Sequence, residues 1–232
     1  MTQSATKLSI IFFIALFADI SMIFFQLGNL QIFTKPSLML ILLVWFCVSA
    51  RNLGSAKYLI IFALVFSCFG DVFLLFEKQN PNLFIFGLGS FLIAHFFYIG
   101  YFYQIRKLNG VDFVPKILVF LGIVIYLVSL LTLILPYVTD IKIPVIIYAT
   151  TLAAMLLTSF HAFEFNKHSF GKICVAGTLI FVVSDSIISI NRFYQPLEFA
   201  SIYIMLTYGI AQFLITIGAF QNLETISHEL SE

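Results

Sequence analysis

The stretch FSCFGDVFLLF, residues 66–76, sets one acid, Asp71, in a run otherwise built from apolar and small side chains. A second stretch, FVVSDSIISI at 181–190, repeats the arrangement around Asp185. A charged side chain at the centre of a bilayer costs about 2.5–3.5 kcal/mol on insertion scales. An acid in such a place is therefore either neutral or partnered, and it faces the inside of a bundle. Both readings require the surrounding run to be a membrane-spanning helix.

Composition agrees. Of 232 residues, 61% are hydrophobic and 10% charged, with a mean hydropathy of +1.07. Soluble domains run at about 45–50% apolar and about 25% charged, so the chain is read as an integral membrane protein. Twenty-nine Phe against one Trp suggest lipid-facing bulk, not a Trp-rich interfacial belt. A net charge of +1 gives no reason to expect a nucleic-acid partner. The three cysteines, Cys47, Cys68 and Cys174, lie in apolar runs and are expected as buried free thiols. The first apolar segment is full-length and no small-x-small site follows it, so no cleavable signal is expected.

A helix needs about 20 apolar residues to cross the hydrocarbon core. Interruptions by Gly, Pro, Asn and charge cut the chain into eight such runs, at 8–27, 33–50, 57–76, 83–104, 115–137, 142–163, 171–191 and 198–220. The expected fold is all-α, one bundle of eight transmembrane helices, with any active site built inside it. The tail QNLETISHELSE reads as a short frayed helix. Eight spans put both termini on one side, which collects Lys7, Arg51, Lys57, Arg106, Lys107, Lys116, Lys167 and Lys172. The other side has only Lys35, Lys78, Lys142 and Arg192. The positive-inside rule then places both termini in the cytoplasm, as for a bacterial inner membrane.

With that orientation Asp19, Asp71 and Asp185 lie in the outer halves of helices 1, 3 and 7, and Lys35 enters helix 2 at a similar level. His95 and Tyr98 share one face of helix 4, and Tyr208 and Gln212 one face of helix 8. Tyr148 is in the outer half of helix 6. Ser67 stands one turn before Asp71, and Ser184 and Ser186 flank Asp185; small residues leave room for close helices, ligand or water. Asp19, Tyr148 and Gln212 taken singly read as polar glue between helices. Two deep aspartates converging with a Lys and a His read as a functional cavity. Asp71 and Asp185 are 114 residues, or four spans, apart, a spacing consistent with a four-plus-four internal repeat.

These motifs resemble the YhhN family, the lysoplasmalogenase-like membrane proteins. Lys35-Pro36 opens the second helix and Gly70-Asp71 sits in the third. GLGSFLIAHFFYIGYF carries His95 and Tyr98, GTLIFVVSDSIISINRF carries Gly177, Ser184 and Asp185, and the last helix has Tyr208 and Gln212. The resemblance implies a hydrolase that cleaves the vinyl-ether bond of a lyso-lipid, releasing a fatty aldehyde and a glycerophospho-headgroup. It also implies that Asp71 and Asp185 are the catalytic pair.

Burial favours a neutral carboxyl and a nearby lysine an ionised one, so two acids in unlike surroundings divide into proton donor and base. Enol-ether hydrolysis needs that division: protonation at carbon gives an oxocarbenium ion, which water captures, much as in glycoside hydrolysis. Lys35 is expected to meet the lipid phosphate, and His95 and Tyr98 to orient water or headgroup; Tyr148, Ser184, Tyr208 and Gln212 are expected to complete the substrate-binding set. No cofactor or metal is expected, although an Asp-Asp-His metal site stays open as an alternative. A small proton-coupled transporter using the same acids is the alternative from another class; it would favour helices broken at mid-membrane, whereas Pro115, Pro136 and Pro144 lie near span ends.

Overall fold

The computed structural model describes residues 3–112, 116–164 and 169–229. Pro115, Lys167 and His168 lie outside the described residues. Eight helices long and apolar enough to cross a membrane follow one another among them. They are α1 (Gln3–Phe24), α2 (Gly28–Ser49), α3 (Lys57–Leu75), α4 (Asn82–Leu108), α5 (Ile117–Ile134), α6 (Lys142–His161), α7 (Ser169–Ser189) and α8 (Ala200–Glu229). A 3-10 turn, Leu135–Tyr137, extends α5, and a π turn, Ile190–Tyr194, extends α7.

The helices are apolar on every face, so polar and small residues select which face turns inward. In α1 the buried stripe is Ala5, Leu8, Phe12, Leu16 and Asp19; in α3 it is Ile60, Ala63, Leu64, Ser67, Gly70 and Asp71. Both keep the i, i+3, i+4 spacing of a single helix face. The most extensive pairings are α7 with α8 and α3 with α4, and α8 has the most buried span. The span of α5 is the least buried; it packs mainly on α6.

Backbones approach closely where glycine permits. A Cβ added at Gly177 of α7 would stand 2.9 Å from the Ile215 nitrogen and 3.0 Å from the Ala211 carbonyl of α8. On the facing helix, a Cβ at Gly218 would meet the Cys174 sulfur at 2.6 Å. The two glycines thus let α7 and α8 lie in contact along their length.

Several boundaries differ from the sequence expectation. Helix α1 stops at Phe24, not at 27, because the backbone turns at Gln26, whose φ is +57°. The tail is not a short frayed helix: α8 runs unbroken to Glu229, with Asn222 and Leu223 buried. Asn222 donates to the Asn109 side chain at 3.2 Å and accepts from the Tyr101 hydroxyl at 3.4 Å, which fastens α8 to the end of α4. The cysteines are free, but only Cys174 is buried; Cys68 is half-buried and Cys47 is exposed on the outside of the bundle. At the opposite end, Arg192 pairs with Glu77 at 3.0 Å and lies 3.5 Å from the Phe84 ring centroid, joining the end of α7 to the α3–α4 corner.

Candidate active site

The polar side chains gather toward the end of the bundle where α1, α3 and α7 finish. Asp19, Asp71 and Asp185 each lie four or five residues before their helix ends, and Lys35 lies seven into α2. At 1.5 Å per residue, that puts all four about 6–10 Å below one face of the bundle.

Asp71 is 1% exposed. Its Oδ1 lies 3.7 Å from the Lys35 ammonium, and its Oδ2 accepts a hydrogen bond of 2.8 Å from the Tyr208 hydroxyl of α8. Lys35 keeps 14% of its side-chain surface exposed. The expectation that Lys35 meets a lipid phosphate therefore meets a competing fact: its charge already answers an acid. Asp185 is 6% exposed, and its Oδ2 accepts from the Tyr148 hydroxyl of α6 at 2.6 Å. Among the described residues no ion pair reaches Asp185. The two acids thus have unlike surroundings, one with a cation and one without.

Aromatic rings connect them. Tyr208 meets the Phe181 ring edge-on at 5.7 Å, and Phe181 meets His95 at 5.1 Å. His95 in turn meets Tyr148 at 5.1 Å. Asp71 and Asp185 therefore stand at the two ends of an aromatic row, each held by the hydroxyl of its neighbouring tyrosine. His95 is fully buried in that row, and neither ring nitrogen has a hydrogen-bond partner among the described residues.

Tyr98 and Gln212 form a neighbouring, satisfied chain. The Tyr98 hydroxyl donates to Gln212 Oε1 at 2.5 Å, and Gln212 Nε2 donates to the Ser67 hydroxyl at 3.0 Å, one turn from Asp71. They lock α4, α8 and α3 together beneath the acid. Ser184 is drawn away from the site: its hydroxyl donates to the Ile204 carbonyl of α8 at 3.3 Å. Ser186 pairs with the Tyr126 hydroxyl of α5.

Two further residues stand beside the acids. Asp19, read from the sequence as glue, is fully buried, and its Oδ1 accepts from the Thr34 hydroxyl at 2.5 Å. Lys35, the next residue, acts electrostatically on Asp19 as well as on Asp71. Phe181 links the tyrosine partners; its position four residues before Asp185, on the same helix face, is the signal that could have found it. No three His, Cys, Asp or Glu side chains among the described residues come together as a metal-binding group, so the Asp-Asp-His alternative is not assembled.

The acids do not line either of two grooves on the bundle surface. One, of about 370 Å³, lies between α4, α5 and α6 beside Arg106 and Lys116. The other, of about 720 Å³, runs along α1 and α2 from Lys7 and Trp45, past Ile41, up to Ser37. Ser37 donates to the Thr34 carbonyl at 2.7 Å, so this second groove ends beside the Thr34–Lys35 corner of the site.

The chain is 28% identical over 188 residues to mouse Lysoplasmalogenase TMEM86B, covering 81% of this chain and 74% of that protein. It is 25% identical over 201 residues to human Lysoplasmalogenase TMEM86A, covering 80% and 77%. It is 30% identical over 178 residues to the Lysoplasmalogenase of Mycobacterium tuberculosis, covering 75% and 65%. No solved structure matches the chain. The model of the YhhN family matches residues 30–219, which contain Lys35, Asp71, His95, Tyr148, Asp185 and Tyr208, and the chain belongs to that family.

Proposed function

We propose that this protein is a lysoplasmalogenase that hydrolyses the vinyl-ether bond of a lyso-lipid within the membrane, using Asp71 and Asp185. The names of its relatives support the substrate class. The observation that carries the chemistry is the division of the two acids: Lys35 and Tyr208 attend Asp71, while among the described residues Asp185 meets only a neutral hydroxyl. In this reading Asp71 holds the charge and Asp185 the proton.

Asp185 then protonates the β-carbon of the enol ether as its O–H bond breaks, and the alkene electrons form the new C–H bond. The resulting oxocarbenium ion is stabilised by the Asp71 carboxylate. Asp71 takes a proton from the water that adds to the cationic carbon. In the collapse of the hemiacetal Asp71 returns that proton to the leaving glyceryl oxygen as its C–O bond breaks, and Asp185 takes the hydroxyl proton, which yields a fatty aldehyde and a glycerophospho-alcohol and restores both acids. His95 lies between the acids with both nitrogens open to bond water or a substrate oxygen. Each proton-transfer role is typically worth about 10²–10⁴-fold in rate.

The α1–α2 groove gives the hydrocarbon chain a place, with its upper end beside Lys35. With both termini cytoplasmic, as the Lys and Arg distribution favours, the site opens toward the outer leaflet. The four-plus-four repeat is supported by the partner positions: the spacing that relates Asp71 to Asp185 carries Lys35 to the residue after Tyr148.

The test is single replacement of Asp71 and Asp185 by Asn, with aldehyde release from an alkenyl lyso-lipid as the readout. Both variants are expected to lose at least 100-fold in kcat. Wild-type turnover in either folded variant ends the two-acid mechanism.

A further inference from the structure

Lys35 serves two carboxyls, and the site's charge does not balance if both are ionised. We infer that Asp19 and Asp71 share a single proton over one Lys35 ammonium, with Asp19 the protonated member, so that the site contains a third working carboxyl.

The inward stripe of α1 carries Asp19 into the bundle, where it is fully buried. The groups facing it from neighbouring helices are Thr34 and Lys35 of α2, Asp71 with Cys68 behind it on α3, and Tyr208 of α8 through its bond to Asp71. Lys35 supplies the one positive charge among these. Asp71 has a cation and a donor: the Lys35 ammonium lies 3.7 Å from Oδ1 as an ion pair, and the Tyr208 hydroxyl donates to Oδ2 at 2.8 Å. Asp19 has one neutral donor, Thr34, on Oδ1, and Oδ2 is buried with no hydrogen-bond partner among the described residues.

A buried ionised carboxylate needs donors on both oxygens or a cation of its own. Asp71 has the ion-paired cation, and Asp19 has a donor on one oxygen alone. One proton on Asp19 Oδ2 removes the deficit. It also leaves the Lys35 charge undivided for Asp71. Asp19 is then a positioning residue that acts through Lys35 and Asp71, and that catalytic role rests on the hydrolase reading. The shared proton itself does not.

Infrared spectra of the purified protein in lipid vesicles at neutral pH, recorded without substrate, read the proton directly through the carbonyl stretch of a protonated acid. Asp19→Asn is expected to remove one such band, and Asp185→Asn a different one. Thr34→Val, which keeps the carboxyl but removes its donor, is expected to shift the Asp19 band and leave the other in place. An Asp19→Asn spectrum that keeps every protonated-acid band overturns the inference. If that variant does not fold, an unshifted set of bands in Thr34→Val overturns it.

The pH profile of kcat supplies the catalytic readout. Deprotonating Asp19 draws Lys35 away from Asp71, so wild-type activity falls on the alkaline side through Asp19 as well as through the proton donor Asp185. Asp19→Asn, a neutral isostere of the protonated acid, is expected to keep kcat near neutral pH and to lose one of the two proton dissociations, so its alkaline limb is shallower; a limb of unchanged position and steepness removes the positioning role. Absence of vinyl-ether turnover in the wild type sinks the hydrolase reading alone, since the infrared bands still decide the shared proton.

Discussion

Lys35→Met is the perturbation that tests the charge arrangement most directly. It keeps the length of the aliphatic stem and removes the ammonium that lies 3.7 Å from Asp71. Breaking a buried ion pair by deleting one partner costs about 3–5 kcal/mol, because the other charge is left uncompensated. Lys35 is 14% exposed, so the lower end applies, about 3 kcal/mol, or roughly a 100-fold loss in the folding equilibrium. Asp71 can escape by taking up a proton, which abolishes it as a base and lowers kcat by about 10²–10⁴-fold. Adding Asp71→Asn to Lys35→Met removes the stranded charge, so the double variant is expected to regain most of the lost stability but none of the activity. A double-mutant cycle in mixed micelles, with unfolding followed by circular dichroism, measures this coupling. Additive stabilities, or a Lys35→Met protein as stable as wild type, would refute the pairing of Lys35 with Asp71.

Gly177→Leu is expected to destabilise the bundle by about 1–3 kcal/mol or more, since even a Cβ there meets α8 backbone atoms, which cannot step aside, as well as the Ile215 side chain; unfolding in micelles checks it. Ile41→Trp fills the α1–α2 groove without touching the acids, and is expected to lower turnover of long-chain alkenyl lyso-lipids more than that of short-chain ones. An equal effect on both chain lengths places the chain elsewhere.

The number and order of the helices were legible because the bilayer demands long apolar runs and the corners are marked by Gly, Pro, Asn and charge. The depth of Asp71, Asp185 and Lys35 was legible for the same reason. Inward faces were legible only where an acid, a serine or a glycine marks them; elsewhere both faces are apolar in lipid and the usual periodic contrast is absent. Asp19 shows the consequence: Leu16 behind it is buried and Phe17 is exposed, yet nothing in their chemistry distinguishes them. Ser184 shows the converse, a small polar residue beside an acid whose hydroxyl is taken by a carbonyl of the neighbouring helix. The buried extension of α8 was hidden because its polar residues, Asn222 among them, find partners on α4 that lie more than a hundred residues earlier in the chain.

The central place of α8 bears on how the site comes into being. Translation delivers this helix after the seven others, yet it supplies the hydroxyl that holds Asp71 and the amide that joins Tyr98 to Ser67. Until it inserts, the nascent bundle keeps an open slot along α7 and an acid whose second oxygen is unattended. Docking of α8 thus completes the surroundings of Asp71 that the earlier helices leave half-made.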